Sequence, residues 1–480
     1  MVAPAGSDIT GDLPSGDWQI RTVRFAAPGT ARTAPITWGQ RALWMAIRRH
    51  GPGQVMFTLR RAVPVPRRHQ HDPDRVLAAV AALVSRHASL RTRLDLTGDE
   101  PRQLVADQGE IPVSMVTDSA GDATVIGRTV AERLAATPFA HADEWPQRFA
   151  LVTVDDAVRQ IVVVFSHTTV DFRAAELVLR DLRLLLSRGA IDTPPGLQSA
   201  DVAQLEQQDR HQRRSARAAA YWVDVTRQLS RQTRLPELAP LTPRFRRGVL
   251  VSQAADTAVR LLAERHQTTS STVLLGAAAI VVGAWSGQPV VGMHTMVNNR
   301  MLAGYPEAIA KLNQLALVPV DLTAGPAGPD RRPDLTGRLG LAELMPRVWQ
   351  AALDGYRHAY YDPLELAAAF EAAGLPYATG VNPHCYLNDI RLAPDVDLFG
   401  RPVTESEVRD AMSRTSFVLA ERFEHFTWRT RIEILDKPDG LGLALTADTT
   451  YFTLDDIERF LRTLEGCLVD AAFPTPRPTE

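Results

Sequence analysis

A chain of 480 residues is too long for one ordinary hydrophobic core and predicts two lobes. Hydrophobic residues at 45% and charged ones at 22% are typical of a soluble globular protein, and a formal net charge of −2 argues against nucleic acid or an anionic membrane as a partner. The two cysteines, Cys385 and Cys467, exclude a disulfide framework and a four-cysteine metal site, and suit a reducing cytoplasm.

In chain order, residues 1–30 are rich in Gly, Pro, Ala and Ser and are expected to form a flexible N-terminal extension, with one short strand at Trp18 to Phe25. They lack the basic start and apolar run of a secretion signal. Ile36 to Arg48 predicts a helix capped by Thr37, with Leu43, Trp44 and Ile47 on one face. Asp74 to His87 predicts a second, carrying Val76, Leu77, Val80, Leu83 and Val84 at helical spacing. His69 and His71 stand before it in an Arg- and Pro-rich loop without a third ligand, so no metal is expected.

The β-branched run Ile161 to Phe165 predicts a buried strand feeding a helix with Leu177, Leu179, Leu182 and Leu186. Arg188 to Arg217 loses periodicity, gathers Pro194, Pro195 and Gly196, turns polar, and reads as a crossover between lobes. Helices follow at Ala218 to Gln228 and Asp256 to Arg265, with a strand near Gly248 to Ser252. Thr272 to Trp285 is apolar but broken by glycines and too short to span a bilayer, so a buried helix is expected. Strands and helices without a regular βαβ beat predict an α/β or α+β protein with mixed sheets.

The stretch that carries chemistry is Ser166-His167-Thr168-Thr169-Val170-Asp171-Phe172, where a strand end presents an imidazole and an aspartate follows four residues on. A neutral imidazole there can take a proton from an amine or a hydroxyl. His-x-x-x-Asp alone is common by chance. Trp285-Ser286-Gly287 lacks the spacing of a nucleophile elbow, and no phosphate loop is present, so nucleotide use is not indicated.

Around this stretch the chain resembles the condensation domains of nonribosomal peptide synthetases, within the chloramphenicol acetyltransferase-like acyltransferases. Their signature is two histidines, three variable residues, then aspartate and glycine; His167 matches the second histidine and Asp171 the aspartate. Further motifs are similar in family order: Ile36 to Trp44, Arg86 to Leu94, Tyr221-Trp222, Val291 to Arg300 ending in Asn-Arg, Asn313 to Val320, Tyr356 to Leu366, and Tyr386 with Asn388. Two positions depart from the pattern. Ser166 replaces the first histidine, and Phe172 replaces the glycine, which sets a large ring beside the aspartate and bears on acceptor choice.

The resemblance implies a V-shaped monomer of two acetyltransferase-like lobes with a central tunnel, here residues 31–212 and 213–480. Through that tunnel the phosphopantetheine arm of an acyl or peptidyl carrier protein would bring a thioester to His167, and an amine, or less readily an alcohol, would meet it there. A second carrier or a small molecule would supply the acceptor. The chain itself is expected to bind no cofactor.

By the same resemblance His167 handles the proton, Asp171 pairs with Arg300, and Ser166 supports the site. Phe172, His294, Asn298, Asn313, Tyr386 and Asn388 are then candidates for the tunnel or acceptor side. Arg210, Arg213, Arg214 and Arg217 could meet an acidic carrier, although a solvated helix face explains them too. The extent from Met1 to a Pro-rich tail at 473–480 suits a free-standing enzyme, and an excised piece of a synthetase would look similar. Two alternatives stay open: a non-catalytic docking domain that recruits another enzyme, and a carrier-independent acyltransferase using coenzyme A or polyketide thioesters.

Overall fold

A computed structural model describes residues 17–50, 57–65, 72–117, 122–229, 237–323, 340–375, 385–391, 403–426 and 428–473. They divide into two compact units, one of residues 1–211 with 298–313, the other of residues 212–297 with 314–480.

The first unit contains β1 (Asp17–Ala26), β2 (Arg32–Pro35), α1 (Trp38–His50), β3 (Thr58–Pro64) and α2 (Pro73–Arg86). It continues through β4 (Thr92–Asp95), β5 (Arg102–Val105), β6 (Gln108–Thr117), α3 (Ala123–Ala135), β7 (Gln147–Val154) and β8 (Ala157–Ser166). Three helices follow, α4 (Phe172–Arg188), α5 (Ser199–Glu206) and α6 (Asp209–Leu229), the last running on into the second unit. The main sheet has the order β1-β6-β7-β8-β3, with β6 and β7 parallel and the other neighbours antiparallel; β2, β5 and β4 form a small second sheet.

β8 explains its own sequence. It lies between β7 and β3 with both faces covered, so its side chains need not alternate between apolar and polar. Ile161, Val163 and Phe165 enter a core with Val80 and Leu83 of α2 and Leu177, Val178 and Leu182 of α4. Val162 and Val164 enter another with Ile126 and Val130 of α3. None of the five is exposed to solvent.

The second unit contains β9 (Phe245–Ser252), α7 (Gln253–Arg265), α8 (Ser270–Ser286), β10 (Val290–Val297), β11 (Gln314–Asp321), α9 (Leu341–Arg357) and α10 (Pro363–Ala372). It closes with β12 (Cys385–Asp389), α11 (Glu405–Met412), β13 (Ser416–Phe423), β14 (Thr430–Lys437), β15 (Gly440–Asp448) and α12 (Leu454–Ala472). Its sheet has the order β11-β10-β12-β14-β15-β9-β13, in which β12 runs parallel to both β10 and β14. α8 is apolar on all sides because it is packed on all sides, with Val273, Leu274, Leu275, Ala277 and Ala278 unexposed. Among the described residues no single helix is long and apolar enough to cross a membrane.

Three expectations are corrected. The short strand expected at Trp18 to Phe25 is present but longer, Asp17–Ala26, and its whole length pairs with β6, so this part of the chain is not a flexible extension; residues 1–16 lie outside the described residues. The polar stretch 209–217 is not a crossover loop but the first half of α6, since His211, Ser215, Ala218, Ala219 and Trp222 recur at helical spacing and are buried. Residues 298–313, assigned to the C-terminal lobe, belong to the first unit, where Arg300 answers a buried carboxylate.

Candidate active site

β8 ends at Ser166, and the chain turns once before α4. His167 N–H donates to the Phe57 carbonyl (2.9 Å), which extends the β3–β8 pairing by one residue and fixes where the ring leaves the sheet. The turn closes on Ser166. Its hydroxyl lies 2.7 Å from that of Thr168 and accepts the Thr168 N–H (3.3 Å), while its carbonyl accepts the Thr169 N–H (3.2 Å). A small buried hydroxyl thus satisfies the tight backbone. Asp171 then caps α4, its Oδ1 accepting the Ala174 N–H (2.8 Å).

Asp171 and Arg300 are brought together 129 residues apart in sequence, with Nη2 of the arginine 2.7 Å from Oδ1 and both side chains buried. The remaining bonding capacity is also used. Oδ2 accepts the Leu312 N–H (3.0 Å), and the guanidinium donates through Nη1 to the carbonyls of Tyr305 (3.0 Å) and Ala308 (2.8 Å) and through Nη2 to that of Ala310 (3.4 Å). The pair therefore ties the segment 298–313 to the start of α4. Asn298 is exposed and helps shape this segment, its Oδ1 accepting the Arg300 N–H (3.1 Å).

His167 is partly exposed, and its Nδ1 lies 2.7 Å from the Val170 carbonyl. A carbonyl only accepts, so Nδ1 carries the ring proton and Nε2 is left as the acceptor of the neutral imidazole. Burial, and then the Lys311 ammonium, push the histidine down to about 4, against the Val170 carbonyl and the Asp171 carboxylate, which pull upward; Arg61 adds a smaller downward push. The ring is neutral throughout the physiological range.

Two of these neighbours, Arg61 and Lys311, carry no spacing signal in the sequence. Arg61, on β3, lays its guanidinium over the Phe172 ring at 4.5 Å and bonds Glu176 Oε1 at 2.8 Å, so the ring that replaces glycine is held as the first residue of α4. Lys311 is buried, and burial pushes its ammonium down to about 8. Its Nζ donates to the Asn313 carbonyl at 2.6 Å, and the Asn313 side-chain oxygen is buried without a donor among the described residues. One signal could have found Lys311: the chain has only two lysines.

His294, Tyr386 and Asn388 lie in the second unit. His294 of β10 and Tyr386 of β12 are register partners, and both rings pack on Trp428, at 5.0 and 4.8 Å between centroids; Trp222 flanks His294 at 5.6 Å. Burial holds the Tyr386 phenol at about 12, so it is un-ionised. Asn388 pairs in register with Glu433 of β14. Trp222, His294, Tyr386 and Trp428 thus form an aromatic cluster within the second unit, with Arg431 over the Tyr386 ring at 5.5 Å. Among the described residues no group of His, Cys, Asp and Glu could hold a metal ion, and His69 and His71 lie outside them.

Comparison with known proteins gives one consistent picture. The isonitrile lipopeptide synthase of Mycobacterium tuberculosis is 25% identical over 98% of this chain, which covers 18% of that protein. Phosphinothricin tripeptide synthetase PhsC of Streptomyces viridochromogenes is 27% identical over 55% of this chain and 25% of its own length. The chain thus spans a quarter or less of the length of these relatives. The condensation domain of the monacolin K polyketide synthase MokA shares the fold with a TM-score of 0.69 at 14% identity, over 93% of this chain and 99% of that one. The condensation domain family, generally acyl or peptidyl transferases working with carrier domains, matches residues 33–366 with the His167, Asp171 and Arg300 constellation inside that span, and the chain belongs to this family.

Proposed function

We propose that this protein joins a carrier-bound acyl or aminoacyl group to an amine in natural-product assembly, with His167 as the side chain that meets the amine. The observation that carries this reading is the fixed tautomer: Nδ1 is committed to the Val170 carbonyl, so Nε2 offers its lone pair to an N–H. In the transfer the amine nitrogen forms a bond to the thioester carbonyl and the carbon–sulfur bond breaks. The proton leaving nitrogen ends on the departing pantetheine sulfur. An imidazole held near 4 is a weak base. That favours a role in orienting an already neutral amine over storing its proton, and it makes an alcohol acceptor, which needs a stronger base, the less suited of the two.

Asp171, Arg300 and Ser166 hold the turn that aims the ring, and the Arg61-clamped Phe172 narrows the acceptor side. Donor and acceptor reach His167 by separate approaches, the donor on the phosphopantetheine of an acyl or peptidyl carrier protein.

The test is a mass-spectrometric transfer assay with donor-loaded carrier proteins and a panel of amines and alcohols. Wild type should form the amide, and His167→Ala, which removes the group that orients the amine, should slow it by about 10²-fold. Partner binding without transfer, untouched by His167→Ala, would replace this reading by that of a docking domain. Equal transfer from free coenzyme A thioesters would remove the carrier from it.

A further inference from the structure

Phe172 fills the position of the signature glycine, and β3 touches both ends of the turn that leads to it. The Phe57 carbonyl accepts the His167 N–H at 2.9 Å, and four residues along the chain the Arg61 guanidinium lies 4.5 Å from the centre of the Phe172 ring. Arg61 pairs in register with Val163, and residues 163, 165 and 167 alternate onto one face of β8. Arg61 and His167 therefore rise from the same face of the sheet. Four strand residues span about 13 Å, a separation that the arginine side chain and an acceptor of amino-acid size share between them. The imidazole and the Phe172 ring are both partly exposed.

Arg61 is fully committed in this place. Its Nε donates to Glu176 Oε1 at 2.8 Å, its Nη1 to the Arg60 carbonyl at 2.9 Å, and the guanidinium covers the ring. An acceptor with a positively charged side chain would seek the same two partners, an aromatic face and a carboxylate. Both are already taken by a cation of the chain itself. What the ring still offers is apolar surface.

We propose that Phe172 selects amine acceptors whose side chain is uncharged and apolar, and that Arg61, by occupying the ring face and the Glu176 carboxylate, keeps cationic acceptors out. An apolar side chain gains by covering the ring. A cationic one would lose its water against Arg61 and find no partner in return. The selection rests on His167 as the residue that meets the amine, and it is read both with and without transfer.

The experiment gives the full chain three amines, glycinamide, norleucinamide and lysinamide, the last two matched in length and differing in charge. Binding is measured by ligand-observed saturation-transfer NMR titration, and transfer by letting the amines compete for one donor-loaded carrier protein. Wild type should prefer norleucinamide to lysinamide by about tenfold or more. Arg61→Met frees the ring face and the carboxylate together, so lysinamide should gain and that ratio should fall by about tenfold. Phe172→Gly should remove the advantage of norleucinamide over glycinamide, and Phe172→Leu should keep it. Should Arg61→Met fail to fold, the two Phe172 variants still decide. No preference in wild type, or a preference that neither Arg61→Met nor Phe172→Gly alters, overturns the proposal. Transfer that needs His167 but ignores the acceptor side chain would sink this selection and leave the proposed function. The expected preference in binding, with no transfer at all, would remove that function and leave the selection.

Discussion

Arg300→Met is the substitution with the clearest consequence, because it leaves the Asp171 carboxylate buried with one charged partner gone. Breaking a buried pair from one side costs about 3–5 kcal/mol, and urea unfolding followed by circular dichroism should show a loss of that size. His167 makes a prediction with a definite sign. Its ring binds a proton at about 4 when folded and near 6.5 when unfolded, so acidification protonates the unfolded chain first. The stability tied to this group is complete above 6.5 and drains away as pH falls through 4. His167→Gln should flatten that part of the stability curve, which unfolding at a series of pH values would reveal.

At the level of elements, the N-terminus of α1 is set by contact as much as by capping. Thr37 and Gln40 cap it reciprocally, the Thr37 N–H donating to Gln40 Oε1 (2.8 Å) and the Gln40 N–H to the Thr37 hydroxyl (3.1 Å). Gly39 then lets the helix approach the Lys311 carbonyl, which a Cβ would meet at 2.2 Å. Gly39→Ala should therefore destabilise the protein by about 1–3 kcal/mol, seen as a lowered unfolding midpoint. If the variant is as stable as wild type, this packing account is wrong.

Local patterning made such elements readable. The Thr37 cap, the spacing in α2 and the apolar run of β8 each state their structure within a dozen residues. The first half of α6 was hidden because arginine and glutamine dominate its exposed face, and although a short strand was legible at Trp18 to Phe25, its pairing was not, because its partner lies some ninety residues away. The site divides on the same ground. His167 and Asp171 are four residues apart and visible as a motif, whereas Arg61 and Lys311 arrive from β3 and from beyond β10, and no local pattern joins them to it.

For the whole molecule, each unit has a hydrophobic core of its own, one around β8, α2 and α4, the other around α8, α12 and the central strands of the seven-stranded sheet. Separate cores predict separable stability. In Arg300→Met, hydrogen exchange should quicken in residues 17–211 and 298–313 and stay near wild type in 245–323 beyond that segment and in 403–473. Uniform acceleration would show instead that the two cores open together.

The backbone leaves the first unit at residue 211, returns to it for 298–313 and leaves again. A gene truncated after residue 211 would thus encode a polypeptide whose Asp171 has lost its guanidinium counterion, and such a fragment should be insoluble or molten. Supplied with a synthetic 298–313 peptide, it should regain cooperative unfolding, so the molecule lends itself to reconstitution from pieces that no cut at a single position would yield.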